Sequence, residues 1–187
     1  MLNSIVGLLD AGIPASTNSY ESIATVTVGV GGQATISFTS IPSTYKHLQI
    51  RWLARDNFAS DASDAIIRFN SDSGSNYSWH QLTGDGSSAA AYASTSQTSM
   101  RAGVVAGSTA GSNVFAVTVL DLLDYANTSK NKTVRNLAGY DKNGAGQIAL
   151  NSGSWMSTSA VTQIDISPRV GTLFSQYSSF ALYGIKG

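Results

Sequence analysis

The chain has 187 residues, enough for one domain with its own core, or for one domain and a short arm. Charged residues make up only 12% of it, cysteine is absent, and the formal net charge is zero. These values exclude disulfides, thiolate catalysis and cysteine-ligated zinc, and they argue against a nucleic acid or an anionic membrane as partner. A composition rich in glycine, serine, threonine and alanine favours short strands and turns.

The first residues differ from the rest of the chain. Their apolar side chains fall at or beside helical spacing, and Pro14 prevents a helix from continuing. So short a helix is not stable alone in water, so it must dock on something. Docking on its own domain and anchoring on a partner are both open, and the polar linker 15–19 favours the anchor. The expected domains are therefore an arm and linker, 1–19, and a β domain, 20–187. The candidate anchoring residues are Leu2, Ile5, Val6, Leu8 and Leu9.

From Tyr20 onward, apolar residues alternate with polar ones, which is typical of half-buried strands. The alternations at 24–28 and 34–38 are separated by glycines and predict a hairpin. The segment 48–54 predicts a strand with a polar outer face. Short strands are also expected at 66–69, 77–81 and 97–101, with a polar loop at 56–64 and a long small-residue loop at 84–95.

The segment 113–123 is the most apolar in the chain, and both of its faces are apolar. That pattern predicts a central strand covered on both sides. Asp141–Gly144 predicts a tight hairpin turn, and further strands are expected at 154–156, 161–166, 171–174 and 179–185. About ten strands with turns every 8–12 residues predict an all-β antiparallel sandwich or barrel.

Candidates for catalysis or metal binding are few. His47 and His80 lack any metal-ligand or triad spacing, so ordinary surface or hydrogen-bonded histidines are expected. Asp121 and Asp124 form one acidic pair of the kind that glycoside hydrolysis needs. The trio Asp56, Asp61 and Asp64 suggests either a Ca²⁺ loop or a solvated loop. The sequence predicts no enzyme and no cofactor.

Several aromatic residues suit stacking on a sugar ring, and they suit a core or a subunit interface equally well. They are Tyr77, Trp79, Tyr92, Trp155, Tyr177 and Tyr183.

Five segments carry a resemblance that covers nearly the whole chain after residue 19. They are 20–28 (YESIATVTV), 38–51 (FTSIPSTYKHLQIR), 68–77 (RFNSDSGSNY), 124–128 (DYANT) and 180–186 (FALYGIK). Together they resemble a family of small virion structural proteins of tailed phages, notably cyanophages and other aquatic phages. The resemblance carries no catalytic motif. It implies a structural protein of the virion, and jelly rolls are among the all-β folds that capsids use.

Two virion roles follow as alternatives. One is a capsid decoration (cement) protein on the head shell, with the major capsid protein as partner. The other is a tail or fibre appendage that binds a receptor or glycan. The chain has no repeats and no coiled-coil heptads. A single sandwich of this kind is short for a fibre that reaches the host, which favours the cement role. Zero net charge and strands apolar on both faces also predict a homo-oligomer, with a trimer expected.

Overall fold

A computed structural model of the chain describes residues 19–187. The candidate anchors Leu2, Ile5, Val6, Leu8 and Leu9 lie outside the described residues. Within 19–187 there is no helix of the length and apolarity that a bilayer crossing requires. The strands are β1 (Tyr20–Thr27), β2 (Ile36–Phe38), β3 (His47–Ala54), β4 (Ala62–Phe69), β5 (Tyr77–Gly84), β6 (Ala89–Gln97), β7 (Met100–Ala106), β8 (Ala116–Leu123), β9 (Lys132–Asp141), β10 (Gly146–Trp155), β11 (Ile164–Pro168) and β12 (Ser179–Ile185).

The strands form two antiparallel sheets that pack face to face. The large sheet has eight strands in the order β1-β12-β3-β8-β9-β10-β5-β6, and the small sheet has four in the order β2-β11-β4-β7. The set β1-β12-β3-β8 opposite β2-β11-β4-β7 is the jelly-roll arrangement, in which these eight strands alternate between the sheets along the chain except at β4 and β7, which pair with each other. The expected antiparallel jelly-roll sandwich is confirmed.

Two hairpins extend the large sheet beyond β8. The β9–β10 hairpin follows β8, and the β5–β6 hairpin lies between β4 and β7 in the chain. β10 pairs with both β9 and β5, so the two insertions join into one continuous sheet. On the inner side, β7 of the small sheet packs against β9 and β10.

The core lies between the sheets because each strand turns alternate side chains inward. Trp52 and Phe180 of the large sheet have ring centroids 5.8 Å apart, and Phe174 lies 4.8 Å from Phe180. The fully buried aliphatic side chains from both sheets include Leu48, Ile50, Ile67, Leu120, Leu122, Ile164, Ile166 and Leu182.

The predicted hairpin between 24–28 and 34–38 is wrong. β1 pairs with β12 in the large sheet, whereas β2 pairs with β11 in the small sheet. The glycines at 29–32 make a corner between the sheets, where Gly32 N donates to Gly29 O and Gln33 bridges to Phe174. A glycine-rich turn fits a corner as well as a hairpin, so the local signal could not separate them.

Three other local predictions are also wrong. The small-residue loop expected at 84–95 is largely β6, an edge strand that packs little and so needs no large side chains. The strand expected at 97–101 spans the turn between β6 and β7. The strand expected at 171–174 is reduced to isolated bridges at Phe174.

The strand predicted at 113–123 is β8, but the prediction that it is covered on both sides is wrong for the described chain. Its inward side chains are buried, while Val117, Val119 and Leu123 are exposed on the other side. By contrast, the hairpin at Asp141–Gly144 is confirmed. Asn143 and Gly144 have φ of 62° and 107°, the left-handed conformation that an Asn-Gly turn supplies.

Candidate functional site

The outer face of the large sheet is the side that points away from the small sheet. On β8 it carries Val117, Val119, Asp121 and Leu123, because residues two apart share a face. No strand or loop among residues 19–187 covers the centre of this face, so its side chains are those that the jelly roll presents to its surroundings.

Strand register lines up aliphatic side chains from four adjacent strands. Leu82 of β5 lies opposite Leu150 of β10, Leu150 opposite Leu137 of β9, and Leu137 opposite Val119 of β8. Directly opposite side chains are neighbours about 5 Å apart. The four residues therefore form one unbroken apolar row across the sheet.

A second row lies two residues further along the strands. It contains Leu53 opposite Val117, and Ile148 beyond the intervening Gly139. We call the two rows together the apolar face. Its members are between 43% and 58% exposed, and they are Leu53, Leu82, Val117, Val119, Leu137, Ile148 and Leu150.

The apolar face continues onto the edge strand β6. Ala91 lies opposite Leu82, and Ala89 and Ala93 share its side of the sheet. The nine residues of β6 include no charged residue and no proline. Isolated proteins usually protect a sheet edge with charges, prolines or a covering segment. β6 has a register irregularity near its Gln97 end, and within residues 19–187 no further strand pairs with its free edge.

A polar row borders the apolar face on one side. Gln49, Asp121, Arg135, Ser152 and His80 lie opposite one another in turn on β3, β8, β9, β10 and β5. Gln49 Nε2 donates to Asp121 Oδ1 at 2.8 Å, and Arg135 Nε lies 3.4 Å from Asp121 Oδ2. One carboxylate and one guanidinium thus lie side by side at the edge of the apolar surface.

At the β3 end of the first apolar row, Arg51 lies opposite Val119 and joins two aromatic rings to the same face. Its guanidinium carbon lies 5.7 Å from the Tyr20 ring centroid and 5.3 Å from that of Tyr183. Arg51 Nε also donates to Gln49 Oε1 at 2.7 Å. The outer face therefore combines an apolar centre with an ordered polar and aromatic flank.

The two histidines and the expected acidic pair do not come together in one site. His47 Nδ1 accepts a hydrogen bond from the backbone N of Asp124 at 3.0 Å. Hydrogen bonds from Lys130 and Lys46 hold the pKa of Asp124 at about 2. Asp121 instead contacts Gln49 and Arg135, so each carboxylate of the expected pair has its own partners. His80 is exposed at the β6 end of the polar row.

The acidic trio does not converge. Asp56 is fully buried and accepts hydrogen bonds from Ser63 Oγ and Phe58 N, and burial raises its pKa. Asp61 contacts Lys142 and Thr109, and Asp64 contacts Arg101. Within residues 19–187, no three histidine, aspartate or glutamate side chains gather where they could hold a metal ion.

The candidate aromatic residues divide between core and surface. Tyr77, Trp79 and Trp155 are buried, and the Tyr77 and Trp155 rings are stacked with centroids 6.3 Å apart. Burial also raises the pKa of Tyr77 to about 12. Tyr92 and Tyr177 are exposed, and Tyr183 lies opposite Gln49 at the β12 end of the polar row. Sequence reasoning missed Tyr20 as its companion.

The sequence pattern did not identify the apolar face as a site. In the sequence, Leu82 follows His80 and Leu137 follows Arg135 at alternate positions, so each leucine interrupts a polar side, and that was the available signal. Its meaning depends on β5 pairing with β10 and β10 with β9, and the first of these pairings joins residues far apart in the chain.

No family model and no curated protein matches this chain. Among solved structures, the chain is similar to the galectin LEC-6 of Caenorhabditis elegans, with a TM-score of 0.35 and 9% sequence identity. The alignment covers 84% of this chain and 94% of the galectin. A likeness this distant carries no argument about what the chain binds.

Proposed function

We propose that this chain is a structural protein of a phage particle, and that it serves as a capsid decoration (cement) protein that stabilises the head shell. The observation that carries the proposal is the apolar face, a broad outer surface suited to permanent contact. The resemblance of segments 20–28, 38–51 and 180–186 to small phage virion proteins supports the same role.

An exposed apolar surface of this kind favours docking on energetic grounds. Large contiguous apolar patches on soluble proteins mark interaction sites or aggregation hazards. Covering the remaining half of one large aliphatic side chain contributes roughly 0.8–1.5 kcal/mol, since full burial contributes about 1.5–3 kcal/mol. A protein that acts by contact uses such a surface, whereas a catalyst needs converging titratable groups.

The proposed partners are other copies of the chain, in a trimer, and the major capsid protein. The anchor residues Leu2, Ile5, Val6, Leu8 and Leu9 would attach each copy to the shell. Zero net charge removes long-range repulsion between copies at the surface of the particle. No cofactor, membrane or nucleic acid enters this role.

Copy number per particle tests the cement role. Quantitative gel analysis of purified virions should give hundreds of copies for a shell protein. A few copies to a few dozen would contradict the cement role and assign the chain to the tail. Its absence from purified virions would overturn the structural proposal itself.

The anchor is tested in the full chain. Replacing Ile5 and Leu9 together by Asp should abolish co-sedimentation with undecorated capsids, because two charges would enter the apolar contact. Replacing Asn3 and Ser4 by Asp is the matched control, since it adds the same charge at polar positions and should leave binding intact. Equal binding by both variants would show that the anchor lies elsewhere.

The second candidate is a tail or fibre appendage that binds a glycan. The polar row beside Tyr20 and Tyr183 favours it, because sugars are held by hydrogen-bonding side chains next to aromatic faces. Incubation with host-envelope glycans separates the candidates. Saturable binding lost on Arg135→Ala would support the appendage role, and release of reducing ends would contradict both non-enzymatic roles.

A further inference from the structure

We propose that the apolar face is the contact surface between copies of this chain, so that a second copy covers Leu82, Val119, Leu137 and Leu150. The inference rests on the proposed function to the extent that an assembled structural protein presents many copies side by side. It identifies the occupant of the outer face as the chain itself, and leaves attachment to the shell to the arm.

The size of the face fits an interface between proteins. At about 4.8 Å per strand, the strands from β3 across to β6 span about 24 Å, and three rows of outward residues extend over about 14 Å. The accessible surface of the protruding side chains exceeds that footprint. A stable complex of ordinary size buries about 800 Å² on each partner, which is more than the flat footprint, and the half-exposed side chains that protrude from the face add to that footprint.

The composition of the face fits an interface between like molecules. The centre is aliphatic and the border is polar, which is the anatomy of protein interfaces. Asp121 and Arg135 lie side by side on the border, and Arg135 is the more exposed of the two, with 72% of its side chain accessible. Each copy therefore offers both a carboxylate and a guanidinium, and a copy of the same chain can match both.

The edge strand gives a separate reason. β6 continues the apolar face with Ala89, Ala91 and Ala93, and carries no charge along its nine residues. An edge of this kind is stable in solution when another chain covers it. A lipid surface is a less suitable partner. In the polar row Asp121 lies beside Arg135, so the row has no cluster of basic residues of the kind that binds anionic membranes.

The experiment is multi-angle light scattering of the purified full chain over a range of concentrations. We expect a mass of at least two copies. Leu150→Lys should return the mass to that of one chain, or weaken association at least about tenfold, because an unpaired charge would be buried at the centre of the contact. Val30→Lys is the matched control, since Val30 is 88% exposed in the turn after β1 and far from the face in register.

Circular dichroism and thermal unfolding must show that both variants are folded. A wild-type chain that stays monomeric at all concentrations would overturn the inference, and so would an oligomer that Leu150→Lys leaves unchanged. Dissociation by Ile5→Asp with Leu9→Asp, but not by Leu150→Lys, would assign the contact to the arm instead. Virion copy number is measured independently, so a failed interface and a failed virion role are told apart.

Discussion

Leu120 and Val119 are neighbours on β8, yet Leu120 is fully buried between the sheets and Val119 is 43% exposed on the outer face. The same contrast holds along the large sheet, where Ile50 and Trp52 are buried and Leu53 is not. Similar side chains therefore lie in two environments: one is buried between the sheets of the same chain, and the other is exposed on the outer face. Apolar residues on both faces of a strand therefore indicate that both faces are buried in the functional protein. They do not indicate whether the same chain or a second chain buries each face.

The largest expected effect separates these two faces by stability. Leu120→Ala should lower the free energy of unfolding by about 2–5 kcal/mol, because it removes buried methyl groups and leaves a cavity. Val119→Ala, one residue away, should cost less than about 1 kcal/mol at a protein concentration low enough to keep the chain monomeric. Urea unfolding followed by tryptophan fluorescence measures both. Equal losses would mean that the outer face is covered within the monomer.

Lys132 and Arg135 allow the buried and exposed faces to be compared through two charged residues on one strand, β9. Lys132 faces inward and is 1% exposed, and its Nζ donates to the carbonyl oxygens of Asn127, Lys130 and Thr158 at 2.6, 2.9 and 3.1 Å. Lys132→Met should cost about 1–3 kcal/mol, because it leaves these carbonyls without their donor.

Arg135→Met is the control for Lys132. It keeps a long aliphatic stem on β9 but changes an outward side chain at the border of the polar row, so its effect on unfolding should stay within about 0.5 kcal/mol. The same urea titration compares the two variants. A comparable loss at Arg135 would contradict the assignment of the polar row to the open side.

A buried carboxylate and a carboxylate held by two lysines should change the stability in opposite directions as pH changes. Burial raises the pKa of Asp56 above its ordinary value of 3.8, so its contribution to stability falls as pH rises from that value through the raised pKa. Hydrogen bonds from Lys130 and Lys46 lower the pKa of Asp124 to about 2, so its contribution is lost as pH falls from 3.8 toward 2.

Substitution by asparagine isolates each contribution. As pH rises, the free energy of unfolding of Asp56→Asn should increase relative to that of the wild type. Over the acidic range, the same rise in pH should decrease the free energy of unfolding of Asp124→Asn relative to that of the wild type. Urea unfolding between about pH 2.5 and pH 7 covers both windows. The same slope for both variants would show that Asp56 is solvated in the folded protein.

The sequence predicted the sandwich because its signals are local. Alternation along 48–54 and the Asn143-Gly144 turn act within one strand or one hairpin, and both are confirmed in the structure. Strand β6 was missed because Ala89–Gln97 has only one large residue, Tyr92, and no clear alternation. An edge strand is held mainly by hydrogen bonds to its one neighbour, which leave no mark on residue type.

The candidate site was less predictable because it depends on strand order. Leu82 and Leu150 belong to hairpins separated by β7 and β8 in the chain, and they meet only because β5 pairs with β10. On the inner face of the same pair of strands, Gln81 and Asn151 lie opposite each other and hydrogen-bond to Asp64 and Asn136 respectively. The outward residues are placed by register and do not themselves determine it.

The smallest expected effect on stability tests the open face most directly. Leu137 lies at the centre of the apolar face, between Val119 and Leu150, and is 54% exposed. Leu137→Thr keeps a side chain that suits a strand and removes much of the apolar surface. In the monomer, the free energy of unfolding should change by no more than about 0.5 kcal/mol, since little buried area is lost. Association between copies should weaken, because a hydroxyl would enter the contact without a partner.

Urea unfolding at low concentration and light scattering at high concentration measure the two quantities separately. A loss above about 1 kcal/mol in the monomer would mean that Leu137 already packs within one chain. If neither quantity changed, the apolar face would not be the contact between copies.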